Sequence, residues 1–335
     1  MSTKYLNLES CDTLPWIEKY RPQNMDNIIS HNTIVETMKN FVDNKQVPHL
    51  LFHGPPGTGK TSLVLSIAKE LYKKNYKMMT MEINASEERG IEVVRNRIMQ
   101  FATARSMVFD SNALEMFKLV ILDEADAMTP DAQASLRRII EKYTNNVRFC
   151  LICNYIKKID IAIQSRCVCF RFSPLSPRCV NQKICEIFKK ENVEYTKGGI
   201  ETIIQRSGGD MRKVLNIMQS VSMAYNIIDS DNVNKCLGYA SYQEITDIYE
   251  SLMNDGYSTS YNLIKKFKDT NGLSLNDIIY EVHEIIIKKV LDKKYDDMNR
   301  ITNILKNFGT LEYSAANTSN ENIQLGRFVG IFKLA

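Results

Sequence analysis

Short apolar runs alternate with amphipathic stretches along the first half of the chain. Runs of five or six apolar residues bounded by polar or turn-forming residues predict buried strands. Five such runs occur, at residues 49–53 (HLLFH), 78–83 (MMTMEI), 118–122 (KLVIL), 148–153 (RFCLIC) and 168–172 (VCFRF). Helical spacing of apolar residues falls between them, at residues 61–72, 86–104 and 131–142. Because the strands are apolar throughout, we expect burial on both faces, as in a parallel sheet sandwiched by helices.

The pattern changes after residues 172–177 (FSPLSP), where two prolines stop regular structure. Beyond them the apolar residues recur at helical spacing. We expect three or four helices over residues 178–240, with turns at Gly198-Gly199 and Gly208-Gly209, and then longer helices such as 275–291. The predicted division is an extension (1–13), an α/β domain (14–173), a small helical domain (174–240) and an all-helical C-terminal domain (241–335).

Composition excludes some classes of protein and leaves others open. The 335 residues are 44% apolar and 24% charged, which is ordinary for a soluble globular protein of two or three domains. The net charge of +4, from 43 Lys+Arg against 39 Asp+Glu, does not by itself indicate a nucleic-acid partner. The first 13 residues are polar, and no segment approaches the ~18 uninterrupted apolar residues of a membrane span. We therefore expect no membrane segment and a cytosolic or nuclear protein.

The eight cysteines include two close pairs that loosely resemble zinc knuckles. Cys150 and Cys153 lie in an apolar run without glycine, and Cys167 and Cys169 have a spacing that is unusual for zinc. Buried, reduced thiols are the favoured interpretation.

A glycine-rich loop follows the first predicted strand and opens the first predicted helix. GPPGTGKT fits the phosphate-binding pattern GxxxxGKT, in which backbone N–H groups and a helix N-terminus surround the phosphates of a nucleotide. Lys60 is expected to reach the β- and γ-phosphates, and the Thr61 hydroxyl to bind Mg²⁺. The predicted ATP-binding residues of this loop are Gly54, Pro55, Pro56, Gly57, Thr58, Gly59, Lys60, Thr61 and Ser62.

Acidic and amide side chains follow two later strands. In LVILDEAD, Asp123 is expected to hold Mg²⁺ and Glu124 to polarise the attacking water. Asn154 follows the strand RFCLIC, where a neutral amide can orient that water, although a lone Asn is more often a turn residue. Arg212 in GGDMR can touch the γ-phosphate if the small helical domain covers the nucleotide; an ordinary surface arginine is the alternative.

Arg166 lies among apolar residues in IQSRCVCF, which is an unusual setting for a permanently charged guanidinium. Two interpretations remain open from the residues alone. The arginine either forms a structural ion pair or binds a phosphate.

These motifs resemble a known family. GPPGTGKT, LDEAD, Asn154, SRC and GGDMR occur in the order that is typical of AAA+ ATPases, and LPWIEKYRP (14–22) and QSRC (164–167) resemble small subunits of replication factor C, the sliding-clamp loader. The resemblance covers nearly the whole chain. ISHN, FCLICNYI and the tail NIQLGRFVGIF are most similar to the subunit class numbered fifth in humans and third in yeast.

The resemblance implies a fold and further site residues. The fold is a P-loop parallel sheet sandwiched by helices, then a helical lid domain and a helical collar domain. Residues 14–22 lie against the adenine, with Ile17 and Ile29 as apolar walls and Arg21 nearby, whereas Trp16 only packs. Arg166 enters the ATP site of an adjacent subunit as an arginine finger and does not reach its own phosphate.

Partners are also implied by the resemblance. They are the other replication factor C subunits, joined as a hetero-pentamer through the collar, the clamp PCNA, and primer-template DNA in the nucleus. The DNA-phosphate candidates are Arg89, Arg95 and Lys158, for which a solvated helix face is the alternative. The candidates for clamp contact are Met107, Val108 and Phe109.

Two rival functions belong to other classes. A catalytically silent scaffold could lend Arg166 and the collar, but the intact Lys60, Thr61, Asp123 and Glu124 argue against it. Another DNA-acting AAA+ machine, such as an initiator or a branch-migration motor, is disfavoured because no winged-helix pattern follows the small helical domain.

Overall fold

The structure is a computed structural model that describes residues 14–86, 91–103, 117–292, 298–317 and 320–334. The chain forms two compact units. The first contains Met1–Val193 and Ile203–Gln219, and the second contains Glu194–Thr202 and Ser220–Ala335. The domain boundaries predicted from the sequence stay a prediction.

A five-stranded parallel sheet forms the centre of the first unit. Its strands are β1 (Leu50–His53), β2 (Thr80–Asn84), β3 (Lys118–Asp123), β4 (Val147–Cys153) and β5 (Val168–Arg171). Their order across the sheet is β2-β3-β4-β1-β5. β1 is an interior strand, with Leu50 opposite Cys150 on one side and Val168 on the other. The predicted parallel sheet is confirmed.

Helices cover both faces of this sheet. The helices along this part of the chain are α1 (Trp16–Lys19), α2 (Asn32–Asp43), α3 (Lys60–Tyr72), α4 (Tyr76–Met79), α5 (Ile91–Thr103), α6 (Pro130–Tyr143), α7 (Ile161–Gln164) and α8 (Pro177–Glu191), of which α2–α7 contribute to the two cores of the sheet. Leu50 and Phe52 pack into the core with α2 and α3, whereas Leu51 packs into the opposite core with α5 and α6. Alternate residues of one strand thus enter two separate cores, which is why the strand is apolar throughout.

Two predicted strands differ from the expectation of burial on both faces. β5 is an edge strand, and Val168, Cys169 and Arg171 are exposed. β2 is the other edge strand and is mostly half-buried, and the first two residues of its predicted span belong to α4. The prediction was wrong at these positions because an edge strand has a neighbour on one side only, which an apolar run does not reveal.

The segment after α8 is helical, as predicted, with one short addition. It contains β6 (Glu194–Tyr195), α9 (Lys197–Ser207), α10 (Met211–Ala224), β7 (Ile227–Ile228) and α11 (Ser230–Leu237). β6 and β7 pair in parallel. The predicted turn at Gly208-Gly209 is present, and both residues have positive φ. The turn predicted at Gly198-Gly199 is wrong, because both residues lie in the first turn of α9.

The remaining helices of the second unit form an all-α bundle. They are α12 (Tyr242–Asn254), α13 (Tyr257–Asn271), α14 (Leu275–Leu291), α15 (Met298–Asn317) and α16 (Glu321–Leu334). Phe308, Phe328 and Phe332 form edge-to-face and tilted contacts in its core. None of the helices in the described part of the chain combines the length and apolar character that a bilayer span needs.

Candidate nucleotide-binding site

The loop between β1 and α3 leaves its backbone accessible on one side. Gly59 precedes α3 with a φ of 92°, a left-handed conformation that favours glycine. A Cβ added there would meet no heavy atom within 4 Å, so the main chain is open toward the pocket. The Thr58 hydroxyl closes the turn by donating to the Pro55 carbonyl at 3.0 Å. Backbone N–H groups at a helix start therefore face a space of the kind that binds phosphate.

Lys60 is buried and directed across this loop. Its Nζ donates to the carbonyl oxygens of Gly54 and Pro55, at 2.7 and 2.8 Å, and to Oδ1 of Asn154 at 3.2 Å. Burial lowers the pKa of Lys60, the Asp123 carboxylate opposes that shift, and the Arg212 charge adds to it. All three bonds go to neutral oxygens, so a phosphate would supply the negative charge that this ammonium lacks.

Asp123 and Thr61 meet at the carboxyl end of β3. The Thr61 hydroxyl donates to Asp123 Oδ2 at 2.8 Å, and the Glu124 N–H donates to Asp123 Oδ1 at 2.9 Å. Mg²⁺ prefers one or two carboxylates together with phosphate oxygens and water. The two hard oxygen ligands therefore fit Mg²⁺, and Thr61 and Asp123 are the residues that would hold it.

Glu124 and Asn154 both line the pocket. Glu124 is exposed and has a φ of 53°, a conformation that residues with side chains rarely adopt. Asp126 accepts hydrogen bonds from the backbone N–H groups of Asn154 and Tyr155, at 3.3 and 3.2 Å. The LDEAD segment thus also fixes the loop that carries Asn154, through Asp126.

The start of α10 contacts the phosphate-binding loop. Asp210 caps this helix by accepting from the N–H groups of Arg212 and Lys213, at 2.9 and 3.3 Å. The Met211 N–H donates to the Gly57 carbonyl at 3.1 Å. A Cβ at Gly57 would lie 1.6 Å from Asp210 Oδ1, so a side chain there would separate the two segments. Arg212 thereby lines the pocket, and its contact with a γ-phosphate stays a prediction.

One pocket of about 360 Å³ collects these groups within the first unit. Ile17, Arg21 and Ile29, which the resemblance places beside the adenine, line this pocket. Glu18, Tyr20 and Pro22 of the predicted segment 14–22 and Met211 of GGDMR also line it. Residues outside every motif complete the lining: Ile28, Leu175, Lys183, Ile187 and Leu215. Helical periodicity is the one signal that could have placed Ile187 and Leu215 on inward faces.

Arg166 does not line this pocket. Its Nη2 forms an ion pair with Glu141 Oε1 on α6 at 2.6 Å, and its Nη1 donates to the Ala162 carbonyl at 2.6 Å. Arg137 shares the same Glu141 oxygen at 3.4 Å. The guanidinium thus has an ion-pair partner within the subunit and stays 37% exposed. The role of Arg166 in an adjacent site stays a prediction.

The remaining predicted residues lie elsewhere. Lys158 is exposed, with Nζ 5.4 Å from the centre of the Tyr155 ring. Arg95 belongs to α5, but its side chain falls outside the described residues, as do Arg89 and the predicted clamp contacts, Met107, Val108 and Phe109.

The four cysteines that resemble zinc knuckles are free thiols. Cys150 and Cys153 are buried in β4 without a disulfide, and burial raises the pKa of Cys153 to about 12. In the part of the chain that the structure describes, no three His, Cys, Asp or Glu residues are grouped to hold a metal.

Comparison with known proteins agrees with this arrangement. Residues 50–175 match the ATPase family associated with various cellular activities (AAA), and residues 240–330 match the replication factor C C-terminal domain. Human replication factor C subunit 5 is 43% identical over 322 residues, which cover 96% of this chain and 92% of that protein. The chain belongs to the replication factor C subunit family. Replication factor C subunit 3 of Saccharomyces cerevisiae is 39% identical over 329 residues, which cover 97% of this chain and 94% of that protein.

The resemblance seen in the motifs is thereby confirmed, including its subunit class, and this replication factor C subunit is an AAA ATPase. Among solved structures, the Thermotoga maritima RuvB Holliday junction branch migration motor has a TM-score of 0.51 at 16% identity. That likeness covers 78% of this chain and 90% of RuvB. At such low identity it shows the fold alone.

Proposed function

We propose that this chain is an ATP-hydrolysing small subunit of the replication factor C clamp loader. In that role it helps to open the sliding clamp PCNA and to load it at primer-template junctions during DNA replication and repair. The observation that carries the proposal is the convergence of Lys60, Thr61, Asp123, Glu124 and Asn154 on one pocket, in a chain of this family.

Each residue has a distinct task in ATP hydrolysis. Lys60 binds the β- and γ-phosphates and exchanges its carbonyl partners for phosphate oxygens. Mg²⁺, when bound by Thr61 and Asp123, neutralises charge on the phosphates. Glu124 polarises the attacking water, and Asn154 orients it without adding charge.

Arg212 lies at the start of α10, whose backbone is bonded to the phosphate-binding loop. We assign it the task of sensing the γ-phosphate. Because the backbone groups of Met211 and Gly57 are hydrogen-bonded to each other, loss of the γ-phosphate from the loop is transmitted to α10 through the main chain.

Arg166 completes the ATP site of an adjacent subunit. Its exposure and its position outside its own pocket support this role, as does its weak ion pair with Glu141, which a γ-phosphate can replace. Both interpretations of this arginine then apply at different times: an ion pair before contact and a phosphate ligand after it.

The remaining partners complete the proposal. Other replication factor C subunits bind through the helical C-terminal domain to form a hetero-pentamer. Primer-template DNA is held through phosphate contacts of Arg89, Arg95 and Lys158, and PCNA is contacted around residues 107–109. The complex acts in the nucleus. A silent scaffold is not favoured, because the pocket retains every residue that hydrolysis in cis requires.

The experiment is reconstitution with the other four subunits, followed by clamp loading on primed DNA. The complex should load PCNA with ATP hydrolysis that DNA and clamp stimulate together. A complex with Glu124→Gln should still bind ATP at this subunit and hydrolyse none there. Full loading and unchanged hydrolysis at this site with Glu124→Gln would contradict the proposed catalytic role.

A further inference from the structure

Two helices each present one face to both the ATP pocket and the N-terminal arm, which we define as residues 14–22. On α8, Lys183 and Ile187 line the pocket, and Glu191 follows one turn later on the same face. On α10, Leu215 lines the pocket, and Gln219 follows one turn later. In each helix, the residue one turn after the pocket-lining residues, Glu191 on α8 and Gln219 on α10, contacts the arm.

Glu191 is the main contact from α8. It forms an ion pair with Lys19 Nζ at 2.7 Å and accepts a hydrogen bond from the Tyr20 hydroxyl. From α10, Gln219 Oε1 accepts a hydrogen bond from the backbone N–H of Trp16 at 3.0 Å. The arm is therefore held at both ends of its short helix, α1, by two helices that also line the pocket.

These contacts are more protected than ordinary surface contacts. The Lys19 and Glu191 side chains are only 19% and 18% exposed. Burial by itself would raise the pKa of Glu191, but bonds from Lys19 and Tyr20 outweigh it and lower that pKa. A charged hydrogen-bonded group in such a setting is worth more than an exposed ion pair.

We propose that Glu191 is a positioning residue for ATP binding, which holds Tyr20 and the arm against the pocket and couples them to α8. Gln219 does the same from α10. Tyr20 and Ile17 form the apolar wall of the pocket, so their placement decides how well a purine ring is covered. The inference rests on the proposed function only in taking this pocket as the ATP site.

The chain provides its own optical reporter for the test. It has one tryptophan, Trp16, which is buried in the arm. Tryptophan emission of the full-length chain therefore reports the position of the arm without a label. ATP affinity is measured in parallel by titration with a fluorescent ATP analogue.

The expected results separate positioning from general damage. Glu191→Ala should weaken ATP affinity about tenfold, the effect of losing one half-buried charged contact, and should shift Trp16 emission to the red. Glu191→Gln, which keeps an acceptor for Tyr20, should lose less. Glu194→Ala removes the same charge from an exposed position three residues away and should change neither measurement.

A double-mutant cycle with Tyr20→Phe decides the mechanism. Glu191→Ala and Tyr20→Phe each remove the same hydrogen bond, the one between these two residues. The double variant Glu191→Ala/Tyr20→Phe should therefore bind ATP about as tightly as the single variant with the lower ATP affinity. Additive losses would overturn the inference, and so would unchanged affinity in Glu191→Ala when its thermal unfolding matches the wild type.

Failure of the pocket assignment gives a different result. In that case, Lys60→Ala would bind ATP as the wild type does. If Lys60→Ala abolishes binding and Glu191→Ala has no effect, the ATP site stands and the positioning role of Glu191 falls.

Discussion

Replacing Arg166 with alanine should impair the ATP site of a neighbouring subunit while leaving the ATP affinity of its own subunit intact. The parallel pairing of β1 and β5 gives the reason. Leu50 is opposite Val168 at the amino ends of the strands, and His53 is opposite Arg171 at the carboxyl ends. Arg166 precedes β5, whereas the phosphate-binding loop follows β1. About three residues of strand, or roughly 10 Å, separate the two ends of the sheet.

The structure also sets the size of the effect on stability. Arg166 and Glu141 form their ion pair with side chains 37% and 42% exposed. Such a pair contributes at most about 1 kcal/mol to the free energy of unfolding. The melting temperature should therefore fall by no more than about 4 °C. Hydrolysis at the neighbouring site should fall about a thousandfold or more, as when other arginine fingers are removed.

The assay uses the reconstituted complex and a matched control. Arg137→Ala removes the other arginine that shares Glu141 and leaves Arg166 in place. Hydrolysis is assigned to individual sites by inactivating the P-loop lysine of one subunit at a time. If the loss maps to the nucleotide of this subunit, or if Arg137→Ala causes the same loss, Arg166 has a cis or structural role and the reasoning is wrong.

Three further predictions follow from single positions. Lys60→Ala should abolish high-affinity ATP binding, whereas Glu124→Gln should bind ATP and stall; unchanged affinity of the lysine variant in a fluorescence titration would refute the loop assignment. Gly199→Ala should lower the free energy of unfolding by about 1–3 kcal/mol, because a Cβ would lie 2.3 Å from the Ile228 carbonyl oxygen. In thermal denaturation, the control Gly198→Ala should be neutral or stabilising. Burial and, less so, the Arg148 charge lower the pKa of His49 from 6.5 to about 4. Below pH 6.5, His49 is protonated in the unfolded chain but stays neutral in the folded protein, so the free energy of unfolding should fall as the pH drops toward about 4. His49→Gln should make the free energy of unfolding, measured by urea titration, less dependent on pH in this range.

The sequence predicted the parts of the site that depend on local chain geometry. GPPGTGKT requires a strand, a glycine-rich turn and a helix in succession, and the structure has β1, the loop and α3 in that order. Asp123 ends β3 and Asn154 directly follows β4, and the carboxyl ends of these two paired parallel strands meet at one edge of the sheet. Spacing along the chain was enough to place these side chains together.

Contacts between distant segments could not be predicted in the same way. Glu191 lies at the polar end of a helix, and no local pattern indicates that it contacts Lys19 and Tyr20. Tyr20 and Glu191 are 171 residues apart in the chain. The pairing of the two-residue strands β6 and β7 is too short to leave an alternating pattern. Such features depend on which surfaces meet after the helices have packed.

The placement of the ATP pocket and Arg166 at opposite ends of parallel strands gives the subunit a polarity. If the arginine acts in trans, as proposed, the surface that carries it on one subunit always meets the surface that accepts it on the next. Contacts of this head-to-tail kind either close into a ring or continue as an open spiral. In an open spiral, the arginine of one terminal subunit serves no pocket and the pocket of the other terminal subunit receives no arginine. The number of complete ATP sites is then one fewer than the number of subunits. A gap in the assembly would therefore appear in the number of active sites as well as in the shape of the complex.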